Sequence, residues 1–271
     1  MSKVRNTESK AVSPLQSAAD SGVQAVARAA ELLRLVSRSG HDGARLLDLA
    51  EAAGLHRPTA HRLLRSLCAE KLIEQDDDSK RYRLGVALYE LGLAAPSPLR
   101  RLDRIRPRLR ELALATGDTV YLVMRSEAEA VCVAFEEGGF PIRTRTFELG
   151  ARRPLGLGAA GLALMAALPP DQIEAALQRN RRALRQYGLT AERLRERIAQ
   201  TQRLGIALSE GTITEGVTGI GVTVPCLGAT PYLAVSVAAI SARIAGDRVQ
   251  ELRRELVSVA NRVGQIEQGR G

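Results

Sequence analysis

The sequence predicts an α+β chain: an N-terminal winged helix-turn-helix, a linker helix, and a C-terminal α/β domain with a central, mainly antiparallel sheet. Three observations carry this. Within residues 22–84, three short amphipathic segments are followed by a hairpin pattern. Later, apolar β-rich runs mix with amphipathic helices. Between the two parts, Pro96-Ser97-Pro98 interrupts the chain. A length of 271 residues suits one large domain or two modest ones.

Residues 1–21 are polar, lack a signal-peptide core and are expected to form a flexible tail. From Val23 the pattern is helical, with Val26, Ala30, Leu33 and Val36 at spacings of three and four, ending near Ser39-Gly40. A second helix places Leu46, Leu49, Ala50 and Ala53 on one face, and Gly54 supplies a left-handed stop. The third begins near Arg57-Pro58, where proline suits the first turn, and turns Ala60, Leu63, Leu64 and Leu67 inward. Leu72–Gln75 and Arg81–Leu84 flank the polar run Asp76–Lys80 and read as a β-hairpin, the wing. Residues 85–98 form the linker, helical over 85–95.

Residues 99–271 open with a helix carrying Leu102, Ile105, Leu109 and Leu112, which Pro107 should kink or split. Thr119–Met124 and Val131–Phe135 are nearly continuous in apolar β-formers and read as buried strands. Ile142–Phe147 alternates and reads as a further strand. Leu157–Leu168 is a small-residue helix stopped by Pro169-Pro170. Asp171–Leu177 and Ala191–Arg203 are amphipathic helices. Thr218–Val224 and Tyr232–Ile240 are strands, and Asp247–Val263 is a long closing helix.

Composition narrows the function. The net charge is +9, with 39 Lys and Arg against 30 Asp and Glu, which favours an anionic partner. Residues 1–97 carry 14 basic against 12 acidic residues, and residues 98–271 carry 25 against 18. The N-terminal case for an anion therefore rests on placement, not total charge. With no Trp, five Tyr and three Phe, the chain lacks the stacking platforms of single-strand binders. Cys68, Cys132 and Cys226 show no CxxC spacing and fit a reducing, cytoplasmic setting. No histidine follows His61, so His-based catalytic sets and zinc sites are excluded beyond it. No paired-carboxylate motif stands out. Neither a catalytic residue, a metal site nor a cofactor is expected. No apolar run reaches 18 residues, so no membrane span is expected.

The third helix carries the sharpest signal. Its outward face is Thr59, His61, Arg62 and Ser66, with Arg65 near the edge. From His56 to Ser66 there are three arginines and no acid. Such a helix fits the major groove of B-DNA, where arginine reads guanine and flanking cations meet phosphates. Lys80 and Arg81 on the wing are placed for phosphates or a minor groove. A solvated basic face, or a winged helix that serves protein interaction, is the blander alternative.

These residues resemble the IclR family of bacterial transcriptional regulators. The resemblance runs through Val23–Ala29, through Gly54-Leu55-His56-Arg57-Pro58-Thr59-Ala60-His61-Arg62-Leu63-Leu64, and through Tyr82-Arg83-Leu84-Gly85. It implies DNA contacts from Arg57, Pro58, Thr59, His61, Arg62, Arg65, Lys80 and Arg81. Pro58 replaces a serine common in the family, and Arg57, preceding proline, should be pushed towards extended geometry.

The second half is similar to the family's GAF-like effector-binding domain, through Pro154–Ala163, Gly205–Gly211 and Val222–Pro225. Carried over, the effector pocket would take Ile142 and Arg145 from the preceding strand, then Ala159 and Ala160. Glu210 or Gly211, Gly221 and Ser236 would complete it. Gly156 stands where many members have histidine, Gly221 where many have cysteine, and Ala238 where some have serine. By the residues alone, the small positions 156–161 suit a pocket and close helix–sheet packing equally. Arg145 could pair with a ligand carboxylate, while Cys226 reads as a loop thiol. The resemblance implies a DNA-binding regulator of a palindromic operator, governed by a small organic acid and assembled as a homodimer or homotetramer. A metabolite sensor or enzyme whose winged helix no longer binds DNA is the alternative.

Overall fold

The computed structural model describes residues 14–94 and 101–269. The chain divides into two compact units, Met1–Ala95 and Pro96–Gly271.

In the first unit, α1 (Pro14–Arg38) leads through a short turn to α2 (Leu46–Ala52) and α3 (Arg57–Ala69). The strands β1 (Ile73–Gln75) and β2 (Tyr82–Leu84) pair antiparallel, with Ile73 opposite Leu84, and α4 (Val86–Ala94) follows. The expected winged helix-turn-helix is present. Its core is Leu32 and Val36 of α1, Leu49 of α2, Leu64 and Leu67 of α3, with Ile73 and Tyr82 of the wing. Gly54 takes φ 62°, the left-handed conformation its stop position requires.

Three expectations change here. Helix α1 starts at Pro14, so the last eight residues of the supposed tail are helical; residues 1–13 lie outside the described ones. The inward face of α1 is set by its second half: Leu32 and Val36 are buried, while Val23 and Val26 are about 70% exposed. The unit is only deep enough to cover the turns beside α3. Arg57 is helical although it precedes proline, and the extended residue is His56 (φ −64°, ψ 139°). Residues 95–98 of the expected linker lie outside the described residues.

The second unit is a six-stranded sheet between two helical layers. Its strands are β3 (Thr119–Ser126), β4 (Glu129–Glu136), β5 (Arg152–Pro154), β6 (Ala207–Glu210), β7 (Val217–Thr223) and β8 (Leu233–Ile240). The order is β5-β4-β3-β8-β7-β6, and every neighbouring pair is antiparallel. Helices α5 (Leu102–Thr116) and α9 (Arg248–Glu267) cover one face. On the other lie α6 (Gly158–Ala166), α7 (Pro170–Arg185) and α8 (Ala191–Leu204). Alternation along β3 explains its continuous apolar run: Val120 and Leu122 meet α5 and α9, while Tyr121 and Val123 face the α6 side. Pro107 sits inside α5 without splitting it.

The expected strand at Ile142–Phe147 is absent. That segment forms no strand pairing and is held by hydrogen bonds that involve side chains. The Tyr121 hydroxyl donates to the Thr144 carbonyl at 2.9 Å and accepts from the Thr146 N–H at 3.0 Å. The Thr144 hydroxyl donates to the Ala238 carbonyl at 2.6 Å. The edge beside β4 is taken by β5, where Ala130 pairs with Arg153. Helix α7 runs to Arg185, well beyond the expected stop at Leu177. Its buried Asn180 donates to the Ala128 carbonyl at 2.6 Å.

Candidate functional site

The first candidate surface is built on α3. His56 is its extended N-cap, and Pro58 occupies the first turn, where a missing N–H breaks no helical bond. Burial of Ala60, Leu64 and Leu67 turns the opposite face outward. Arg57, Pro58, His61, Arg62, Arg65 and Ser66 are exposed on it, and Thr59 is half-buried. The first turn holds no acid, so nothing on the helix opposes a phosphate approaching its positive end. A cleft beside α3 brings His61 and Arg65 together with Lys71 and Glu74.

The wing supplies less than its charges suggest. Asp76 shapes its loop: the carboxylate accepts from the Ser79 N–H at 2.8 Å and the Ser79 hydroxyl at 2.6 Å. These bonds, the Ser79 hydroxyl foremost, hold the Asp76 carboxyl below the usual carboxylate range. Lys80 is exposed, with its ammonium 3.9 Å from Asp77. Arg81 is half-buried and donates to the Gly43 carbonyl at 2.9 Å, so its guanidinium is spent on the fold rather than held out for a phosphate.

The second candidate is a pocket on the α6 face of the sheet, with a cavity of about 50 Å³. Tyr121 and Val123 of β3, Gly219 of β7 and Ser236 of β8 line its sheet wall. The start of α6, Gly158 to Gly161, forms a second wall; Thr146, Phe147 and Arg153 form a third; Ile213 and Thr214 close the rim. The rings are packed: Phe135 and Phe147 lie 6.1 and 6.4 Å from Tyr121, centroid to centroid.

Of the residues expected here, Ala159, Ala160 and Ser236 line the pocket. The others stand elsewhere. Ile142 is 58% exposed, because its segment is a loop and not a strand. Arg145 is exposed, paired with Glu148 and stacked 4.6 Å from the Phe135 centroid. Glu210 is exposed at the end of β6, with Gly211 beyond it. Gly221 lies under α6: a Cβ there would come within 3.0 Å of the Ala159 carbonyl carbon and 3.1 Å of the Ala160 nitrogen. That glycine serves close helix–sheet packing, as does Gly156, whose space is filled by Leu194 and Met165.

Arg153 was missed. Its guanidinium lies 4.3 Å from the Phe147 centroid and donates to the Thr146 carbonyl. Burial disfavours its charged form and pulls it below the usual arginine range. The only sequence cue was a second arginine where Arg152-Arg153 precedes Pro154; which of the two faces inward depends on the register of β5. Arg152 instead bonds Glu129 at 2.8 Å. Burial also pushes the Cys132 thiol up to about 12, which makes it a core residue and not a nucleophile. Among the described residues, no group of three or more His, Cys, Asp or Glu could hold a metal ion. No described helix is long and apolar enough to cross a membrane.

A family model described as bacterial transcriptional regulator IclR C-terminal matches residues 99–265, and one for the IclR helix-turn-helix domain matches residues 25–77. The chain is 26% identical to the transcriptional repressor IclR of Escherichia coli over 89% of each chain. It is 30% identical to the glycerol operon regulatory protein of Streptomyces coelicolor, over 87% of this chain and 91% of that one. A crystal structure of an IclR transcriptional regulator from Alicyclobacillus acidocaldarius superposes with a TM-score of 0.70. It has 26% identity and covers 90% of this chain and 98% of that one.

Proposed function

The chain belongs to the IclR family of bacterial transcriptional regulators, and from that premise we propose that a small organic acid in the pocket of residues 99–271 controls its operator affinity. Its relatives are named as regulators and not as enzymes. The observation that carries the DNA reading is the exposed, acid-free face of α3. Arg57, Arg62 and Arg65 on that face supply phosphate and guanine contacts, with Pro58, Thr59 and His61 at the groove floor and Lys80 on the wing. Arg81 acts through the wing's fold.

The effector reading is supported by the pocket's mix of an apolar lining, Ser236 and Arg153. Control requires that the acid bind more tightly in one arrangement of the DNA-binding units than in another. The protein works in the cytoplasm as a homodimer or homotetramer on a palindromic operator, whose two-fold symmetry it matches. Support for assembly comes from α4: none of its residues is buried, and Tyr89 and Leu93 are 69% and 64% exposed.

A gel shift with the region upstream of its own gene, with and without small organic acids, tests the reading. A retarded band that an acid strengthens or releases is expected. Failure to bind that DNA, with Arg62→Ala changing nothing, would favour a winged helix that recognises protein.

A further inference from the structure

Arg153 is the only charged side chain, among the described residues, that lines the pocket. It forms no ion pair there; its partners are the Thr146 carbonyl and the Phe147 ring. The side chains of Tyr187, Tyr121 and Cys132 interact with it, and none of them is a carboxylate. An arginine keeps its proton in such a setting, so the pocket holds one uncompensated positive charge. Unpaired buried charges are costly, which makes this arrangement a receptor awaiting an anion.

The surroundings define that anion. Another wall is the start of α6, a helix end whose first N–H groups have no partner within the helix and which favours negative charge. Val123, Phe147, Ile213 and Val217 offer apolar surface to the rest of the ligand. Among the described residues, no second cation lines the pocket to neutralise a second carboxylate. Resting on the effector reading above, we propose that Arg153 is the counter-ion of the effector's carboxylate, and that the pocket selects a monocarboxylate with an apolar body over its neutral and dianionic analogues. The cavity of about 50 Å³ admits a body of a few heavy atoms as it stands. A void of about 150 Å³ accepts a benzene ring, so an aromatic acid calls for the lining to open further.

Isothermal titration of the full chain tests this with two matched sets: butyrate, butyramide and succinate, then benzoate, benzamide and terephthalate. The wild type is expected to bind a monocarboxylate about thirtyfold or more tightly than the matched amide or diacid. Arg153→Gln abolishes that preference, and Arg153→Lys, which loses the planar fork, weakens the monocarboxylate roughly tenfold. Should Arg153→Gln fail to fold, Arg153→Lys and the wild-type preference decide. A preference that survives Arg153→Gln, an unchanged affinity in Arg153→Lys, or equal binding of amide and acid by the wild type overturns the inference. In those cases a small molecule still binds, so the effector reading survives. If no compound of either set binds, the inference falls, while the effector reading stands or falls by the gel shift with organic acids.

Discussion

Arg81 of the wing donates a 2.9 Å hydrogen bond to the Gly43 carbonyl, across 38 residues of chain. It ties the loop before α2 to β2, beside the isolated bridge between Ala44 and Tyr82. An arginine beside the acidic tip of the hairpin thereby becomes part of the frame. Arg81→Ala should lower the unit's stability by about 1 kcal/mol, the ordinary worth of such a bond. The salt dependence of DNA binding should stay unchanged. Thermal melting and anisotropy titrations in increasing salt check both halves.

Arg57 and Arg62 make the opposite case. Both are exposed on α3. Arg62→Ala or Arg57→Ala should weaken DNA binding by about 1–3 kcal/mol if the residue reads a base. If it meets a phosphate, the loss is uniform across sequences and the salt slope falls by about one. The melting temperature should not move in either variant.

Asp118 is buried beneath two arginines, with its carboxylate 2.8 Å from Arg243 and 3.7 Å from Arg248. Both guanidinium groups also donate to the Thr116 carbonyl at 2.9 Å. Asp118→Ala strands two cations around a buried site and should cost about 3–5 kcal/mol. Urea unfolding of the variant measures it; a loss below about 1 kcal/mol would show the cluster to be solvated in solution.

Cys132 predicts an alkaline limit. Its thiol is pushed up to about 12 in the folded state, by burial above all, against an ordinary value of 9.0. Below pH 9 both states keep the proton and pH has no leverage through this group. Between about 9 and 12 the unfolded thiol ionises while the folded one cannot, so stability falls as pH rises, by up to about 4 kcal/mol. Tyr121, raised mainly by burial, acts in the same sense. The melting temperature should drop across this window, and less steeply in Cys132→Ala.

Gly221 tests the packing role of the small residues. A side chain there meets the backbone of Ala159 and Ala160 at 3.0 and 3.1 Å. Gly221→Val should push the start of α6 off the sheet, costing about 1–3 kcal/mol. Ligand binding should weaken along with stability, as paired melting and titration experiments would show.

The buried face of α3 was legible because Ala60, Leu64 and Leu67 recur at helical spacing, a local rule that short-range sterics enforce. The strands β3 and β8 were legible for a related reason: sheets covered on both faces need apolar residues at every position. The pocket was not. Arg145 and Arg153 look alike in sequence, and the mistaken strand at Ile142–Phe147 pointed to the first. The loop there is held by the Tyr121 hydroxyl and the Ala238 carbonyl, partners more than twenty residues away that no local pattern shows.

The sequence by itself determined the order of elements, the basic outer face of α3 and the resemblance that placed the chain among its relatives. Only the tertiary structure decided which small residues pack and which line a cavity. It alone separated Arg153, left without a carboxylate, from Arg145, which has Glu148. The reason is physical: secondary structure follows from contacts within a few residues. A pocket's charge depends on which side chains distant segments bring together and which counter-ions they leave out.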